Sequence, residues 1–165
     1  YVFLCAHEAL NEVTLAWVHR VVPEIMTPKI MAEIRADWKV CRSIFLADTT
    51  EEAVSRARTN SLGQNYEYIG SLFDKGLGRQ IYKRDLAMPD SECDLDFLMT
   101  EQIIAGDVDT VLERLLGLWE ETGGFGTLVL MSYDWDDKQS WLHSMKLFAN
   151  ELMPALNKAI AGVDV

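Results

Sequence analysis

Cysteine is scarce in this chain. Cys5, Cys41 and Cys93 are the only three in 165 residues, they lie far apart, and no CxxC pair occurs. Neither a disulfide framework nor a zinc site is indicated, and a reducing, cytoplasmic setting fits best. Long apolar runs are also missing. Nothing approaches the roughly 20 residues of a membrane span, and the start lacks the basic-then-apolar layout of a secretory signal. Basic residues are outnumbered, 15 Lys and Arg against 26 Asp and Glu, for a net charge of −11. A general nucleic-acid binder needs a basic patch to displace counterions from phosphate, so that class is disfavoured. An anionic membrane surface is disfavoured for the same reason. The histidines His7, His19 and His143 show no His-x-x-x-His spacing, and no metal site is expected from them.

What is present is an ordinary globular composition, 49% apolar and 25% charged, in a chain long enough to bury a sizeable core. Residues 1–165 are expected to form a single domain. The chain opens at Tyr1 without a methionine and enters apolar sequence at once, Tyr1-Val2-Phe3-Leu4-Cys5-Ala6. A natural terminus more often starts polar, so the expectation is a fragment of a larger domain.

Hydrophobic spacing then suggests elements in order. Tyr1 to Ala6 suits a short buried strand, and Glu8 to Val22 an amphipathic helix closed by Pro23. Thr27-Pro28 has the form of a cap with proline at the first helical position, opening a short helix to about Ala36. Trp38 to Ala47 is a strand candidate. Thr49 and Glu52 have capping-box spacing, and the helix they open is expected to end between Arg58 and Leu62. Residues 63–100 show weak periodicity and many Tyr, Gly and charged residues, as in an excursion or lid, with a short helix near Asp96 to Ile104. Asp107 caps the clearest helix, striped by Val108, Val111, Leu112, Leu115, Leu116 and Trp119. Gly123 and Gly124 end it.

The next stretch, Leu128 to Met131, is apolar at every position, as expected of a strand buried on both faces in a helix-covered parallel sheet. Its loop, Ser132-Tyr133-Asp134-Trp135-Asp136-Asp137, would lie at the carboxyl end of that strand, where such sheets place their chemistry. Asp136 or Asp137 caps a final helix. Its buried face would be Trp141, Met145, Phe148, Ala149 and Leu152, with Pro154 as its end. Strands alternating with helices indicate an α/β fold, and only three strands are convincing. No internal repeat is present.

The run Gly123-Gly-Phe-Gly-Thr-Leu-Val-Leu-Met-Ser-Tyr-Asp-Trp135 resembles the last barrel strand of the bacterial luciferase-like, flavin-dependent monooxygenases. Leu147-Phe148-Ala149-Asn150-Glu151-Leu152-Met153-Pro154 is similar to the helix that closes their barrel. Val40 to Ala53, with its Ala-Asp-Thr turn, and Ile104 to Val111 add weaker matches, although Asp107 and Val108 stand where many relatives have Thr and Pro. The resemblance covers about residues 38–62 and 101–156.

It implies the carboxyl-terminal portion of a (β/α)8 TIM barrel, about three βα units. It also implies a monooxygenase that uses reduced FMN, supplied by a separate flavin reductase, to insert oxygen into a small organic substrate. Most flavin-binding and catalytic residues would then lie outside this chain, so no catalytic residue is assigned. A second reading keeps the barrel but makes it a hydride-transfer oxidoreductase using flavin or a deazaflavin. A third is a non-catalytic fragment that self-associates through an open sheet edge. A homo-oligomer is expected.

The candidate cofactor-binding residues are Ser132, Asp134 and Trp135. At a barrel rim an indole can pack near a flavin and a carboxylate can orient a substrate or an arginine. The plainer reading is that Trp135 anchors the last helix and Asp134 caps a turn. Asp134, Asp136 and Asp137 lack EF-hand spacing and suit caps better than a metal site. Cys41 fits an inert core thiol. Gly76-Leu77-Gly78-Arg79 lacks the strand and third glycine of a dinucleotide fingerprint. Tyr66, Tyr68, Tyr82, Lys83 and Arg84 could belong to a lid or simply pack.

Overall fold

A computed structural model describes residues 3–4, 28–73, 75–76, 78–83 and 85–161. Strand β1 (Phe3–Leu4) is followed by helix α1 (Pro28–Ala36), strand β2 (Lys39–Leu46) and helices α2 (Thr50–Thr59) and α3 (Ser61–Phe73). A 3-10 turn (Arg79–Tyr82) leads to α4 (Leu95–Gln102), β3 (Ile103–Gly106), α5 (Val108–Thr122) and β4 (Thr127–Met131). Helix α6 (Lys138–Leu147) passes through a π-helical turn (Phe148–Leu152) into α7 (Met153–Ile160). The expected helix over Glu8 to Val22 lies outside the described residues.

All strand pairs are parallel and all involve β2. The carbonyl of Trp38 accepts from Gly126 and Thr127 at the start of β4, whereas the N–H of Ala47 donates to Gly106 of β3. Successive residues of a strand point their backbone groups to opposite edges. Positions 38 and 47 differ in parity, so β4 lies on one edge of β2 and β3 on the other. Lys39 and Val40 pair with both β1 and β4, which puts β1 on the edge of β3.

The same alternation divides the side chains of β2 between two cores. Val40, Ile44 and Leu46 join Ile104 against Val111, Leu115 and Leu118 of α5 and Leu152 and Leu156 beyond α6. Phe45 and Ala47 face the other way with Ile103 and Ala105, under Ala53 and Ala57 of α2, Leu62 and Tyr66 of α3, and Leu98 of α4. Burying one such leucine contributes about 1.5–3 kcal/mol. A parallel sheet with helices on both faces is the α/β architecture that the order of elements predicted.

Local chemistry fixes the helix starts. The Thr49 hydroxyl accepts from the Glu52 N–H at 3.2 Å, Asp107 from Thr110 at 2.9 Å and Asp137 from Ser140 at 3.2 Å, each satisfying an amide that the helix cannot. Glu52 does not complete a reciprocal box, because its carboxylate takes the Arg56 Nε at 2.8 Å. Gly123 closes α5 in the left-handed conformation, φ 67°, as expected.

Four expectations need correction. Residues 63–73, read as the start of the weakly ordered excursion, belong to the 13-residue helix α3 that begins at Ser61; Gly63 and Gly70 dilute its periodicity. Ile103–Gly106, read as a helix end and turn, is a fully buried strand, too short for alternation to mark it. Strand β4 is half-buried rather than buried throughout, since among the described residues it pairs with β2 alone. The final helix does not stop at Pro154. Proline lacks an amide and its ring crowds the carbonyl four residues earlier, and the widened π turn of residues 148–152 immediately before lets the helix continue. Met145 and Ala149 are exposed there, and Ser144 takes the inward place between Trp141 and Leu152.

Candidate functional site

The loop after β4 leaves the sheet at the carboxyl end of a parallel strand, as its sequence predicted. Residues 132 to 137 are all exposed, yet each end of the loop is tied down. The Trp135 indole N–H donates to the Ser132 Oγ at 3.1 Å, and the Trp135 amide donates to Asp134 Oδ1 at 2.8 Å. These bonds fold Ser132, Asp134 and Trp135 into one tight turn with the indole ring 40% exposed. Asp136 accepts from the Trp141 indole at 3.2 Å. Asp137 caps α6 and pairs with the Arg56 guanidinium at 3.0 Å. Hydrogen bonds from Ser140 and the nearby Arg56 charge hold the Asp137 carboxyl below its ordinary range.

Helix α3 supports this turn from the side. The Ser61 hydroxyl donates to the Asp134 carbonyl at 2.6 Å, and Asn65 Nδ2 donates to the Tyr133 hydroxyl at 2.9 Å. One helical turn separates Ser61 from Asn65, so a single face of α3 meets the loop. The next residue along, Tyr66, is buried against the sheet. Register aligns Ser43 of β2 with Met131 of β4 and Ile103 of β3, and at this level a hollow of about 170 Å³ opens. Its lining is Cys41, Arg42, Ser43, Tyr66, Ile69, Tyr82, Gln102, Met131 and Tyr133.

Burial raises the Tyr66 phenol to about 12, although a hydrogen bond from Ser43 opposes that shift. Burial also raises Tyr82. Both stay protonated over the working range, so the hollow is edged by neutral hydroxyl groups that can donate. The Arg42 guanidinium, its charged lining group, donates to the Cys41 carbonyl at 2.9 Å.

The other candidates are dispersed. Tyr68 points to solvent, and Lys83 is buried beneath the excursion, donating to Asp90 at 2.5 Å and to the Met88 carbonyl. Arg84 lies outside the described residues. Arg79 spends its guanidinium on the Cys93 and Asp90 carbonyls and the Phe73 ring, which is a structural use. His143 pairs with Asp48 at 2.7 Å on the surface. Cys41 is buried. No group of three or more metal-ligating residues occurs among the described residues. Nor is any described helix long and apolar enough to cross a membrane.

Sequence reasoning did not single out Ser43, Gln102 or Met131. The available signal was parity, because Cys41, Ser43 and Phe45 alternate with the residues that feed the α5 core. Choosing the functional face required knowing what covers each side.

No protein-family model matches the chain. Its sequence is 31% identical over 124 residues to 3,6-diketocamphane 1,6-monooxygenase of Pseudomonas putida, covering 74% of this chain and 33% of that protein. It is 29% identical over 159 residues to 2,5-diketocamphane 1,2-monooxygenase 1 of the same organism, covering 92% of this chain and 42% of the relative. Among solved structures it is similar to the oxygenating constituent of P. putida 3,6-diketocamphane monooxygenase, a type II Baeyer-Villiger monooxygenase in complex with FMN. The TM-score is 0.70 at 28% identity, over 92% of this chain and 41% of that one. The chain thus spans between a third and about two fifths of the length of these proteins. Sequence and backbone agree with the resemblance carried by the β4 stretch: the chain is related to the luciferase-like, flavin-dependent monooxygenases and corresponds to part of their length.

Proposed function

We propose that this chain is part of an FMN-dependent monooxygenase and forms the carboxyl-terminal βα units of a (β/α)8 barrel. The observation that carries this reading is the loop at the carboxyl end of β4, braced by α3 and standing beside a hollow level with the middle of β2. In such folds that end is where ligands bind. Relatedness to monooxygenases, one of them a structure with FMN, supports oxygen insertion. It does not favour the hydride-transfer alternative.

The residues present fit one part of a flavin. A half-exposed indole held by Ser132 offers a flat apolar face for an isoalloxazine ring. Asp134, Asp136 and Asp137 would repel the phosphate of FMN, so this loop suits the ring end and the phosphate is held by other residues. Reduced FMN, when bound, supplies the activation of oxygen. Ser132, Asp134 and Trp135 orient the ring edge, and the packed tyrosines help exclude water from the hollow.

The same reading brings molecular oxygen, a small organic substrate and a separate flavin reductase as partners, in the cytoplasm. It also brings a homo-oligomer, to be checked by size-exclusion chromatography. Full-length protein should bind FMN and, with reduced FMN and oxygen, transfer one oxygen atom to a cyclic ketone. Trp135→Ala should weaken FMN binding about tenfold. Absence of both FMN binding and oxygen transfer in the full-length protein overturns the reading.

A further inference from the structure

We propose that Asn60 is a positioning residue for the loop that carries Trp135, its side-chain amide reaching the Asp136 carboxylate through one ordered water molecule held in a second hollow, between α2 and α6. The effect on the cofactor rests on the monooxygenase reading; the water site itself does not.

The contacts between the α2–α3 pair and the β4 loop form a regular series. Arg56 pairs with Asp137, the Ser61 hydroxyl donates to the Asp134 carbonyl, and Asn65 donates to the Tyr133 hydroxyl. The helices advance from residue 56 to residue 65 while the loop runs backwards from 137 to 133. The place between the first and second of these contacts belongs to Asn60 and Asp136. Both line a hollow of about 140 Å³, together with Phe45, Arg56, Ser140 and Trp141.

Only half of the Asn60 side chain is used within the protein. Its Oδ1 accepts from the Leu62 amide at 2.9 Å and its carbonyl from the Gln64 amide at 3.0 Å, which together start α3. The residue is 7% exposed, and Nδ2 has no acceptor among the described residues. Buried donors are rarely left so, and an ordered water is a common partner for them. Asp136 has the matching capacity. Its Oδ1 takes the Trp141 indole N–H, and an ionised carboxylate offers about four acceptor positions.

The wall selects the guest. Asp136 and Asp137 face a single guanidinium, Arg56, which Glu52 shares, so an anion is disfavoured. A cation has no use for an amide donor. What fits is a neutral molecule that accepts from the amide and donates to the carboxylate. Water does both, needs two to four polar partners and takes up roughly 30 Å³, well within the hollow. The consequence falls on Trp135. Its predecessor Asp134 is held by Ser61, and its successor Asp136 by Trp141 and, through the water, by Asn60. An indole fixed from both sides is what placing a flat ring against a cofactor requires.

The test uses the full-length protein. Its crystal structure should show one water within about 2.7–3.2 Å of both Asn60 Nδ2 and an Asp136 carboxylate oxygen. Asn60→Ser keeps an oxygen to cap α3 and removes the amide. Asp136→Asn keeps an oxygen for the Trp141 indole and replaces a charged acceptor by a neutral one. Asn60→Ser should weaken FMN by about twofold to tenfold in a fluorescence titration, as loss of one hydrogen bond does, and Asp136→Asn by less. In the double variant the loss should fall short of the product of the two, because both act through one water. Mere loosening of α3 would not produce that coupling. The same shortfall should appear in chemical denaturation. A hollow without the water, an Asn60 amide bonded directly to protein, unchanged FMN affinity in Asn60→Ser, or losses that multiply in the double variant overturns the proposal. Should Asn60→Ser not fold, the wild-type structure still decides, by the presence or absence of the water. Failure of the underlying reading is distinct, because it appears in the wild type as absence of FMN binding and oxygen transfer, with the water and the coupling in denaturation untouched.

Discussion

Ser144 of α6 accepts the backbone N–H of Leu46, 98 residues earlier in the chain, at 2.9 Å. The bond follows from the sheet. Strand β4 ends at Met131, level with Ser43, so the last amide of β2 on that edge has no strand partner. Helix α6 crosses there and supplies a hydroxyl from a residue only 3% exposed. The chain direction of the final helix is thereby fixed to the carboxyl end of β2, and with it the position of the loop between them.

Removing this hydroxyl leaves a buried amide without a partner. Ser144→Ala should therefore destabilise the protein by about 1–3 kcal/mol, the cost of an orphaned donor, rather than by the smaller net worth of one bond. Chemical denaturation of the full-length protein reads this directly. Ser144→Thr, which retains the hydroxyl, should recover part of the loss.

Gly126 offers a second, sterically defined case. A Cβ there would stand 1.7 Å from the Ala36 carbonyl oxygen, because the turn into β4 runs hard against the end of α1. Both partners are backbone, so neither can rotate away. Gly126→Ala should cost at least about 2–3 kcal/mol. It should also shift backbone amide resonances of Trp38, whose carbonyl receives the Gly126 and Thr127 amides. An unchanged denaturation midpoint would mean that the chain can separate α1 from β4 freely.

How much was legible in advance depended on how local the governing chemistry is. Thr49, Asp107, Asp137 and Gly123 announce helix ends because each acts within a few residues of itself. Helix α3 was obscured by its own packing. A Cβ on Gly63 would lie 1.9 Å from the Arg58 carbonyl, so the tight junction with α2 demands a residue that lowers the helical signal. Strand β3 owes its existence to Ser43–Leu46, about 60 residues distant, and nothing within Ile103–Gly106 encodes that pairing. The candidate site divides the same way. The Ser132–Trp135 turn is local and was found; the hollow, assembled from β2, α3 and β4, was not.

Acid should weaken the excursion through Asp90. The Lys83 ammonium, hydrogen-bonded to it, holds the Asp90 carboxyl below its ordinary 3.8. In the unfolded chain that contact is absent and the group titrates at its ordinary value. Between the two pKa values the unfolded state binds more protons, so the stabilisation is complete above about pH 4–5 and is lost as pH falls through the lowered native value. Asp137, depressed by Ser140, acts in the same window with the same sign. Asp90→Asn should therefore lower the denaturation midpoint at pH 7 and narrow its drop between pH 5 and pH 3. A slope equal to that of the wild type would remove Asp90 from the acid response. Lys83, 5% exposed, would lose its carboxylate in that variant and be left with the neutral Met88 carbonyl, which is why the neutral-pH loss is expected.

The coupling of α3 to the β4 loop gives a prediction that joins stability to the proposed flavin wall. Ser61 donates to the Asp134 carbonyl and Asn65 to the Tyr133 hydroxyl, while Trp135 is oriented by Ser132 within the loop itself. Ser61→Ala removes a brace without touching the indole or its partner. One such bond is worth roughly 0.5–1.5 kcal/mol. If the loop must be held in place to meet the ring, FMN affinity in the full-length protein should fall between about twofold and tenfold, read by fluorescence titration. Ser71→Ala is the control, because the Ser71 hydroxyl bonds the Tyr68 carbonyl on the same helix and reaches nothing in the loop. FMN affinity should be unaltered there. Equal effects of the two substitutions would attribute the loss to α3 stability in general. Loss with Ser61→Ala alone ties it to the brace on Asp134, and through that carbonyl to the placing of Trp135.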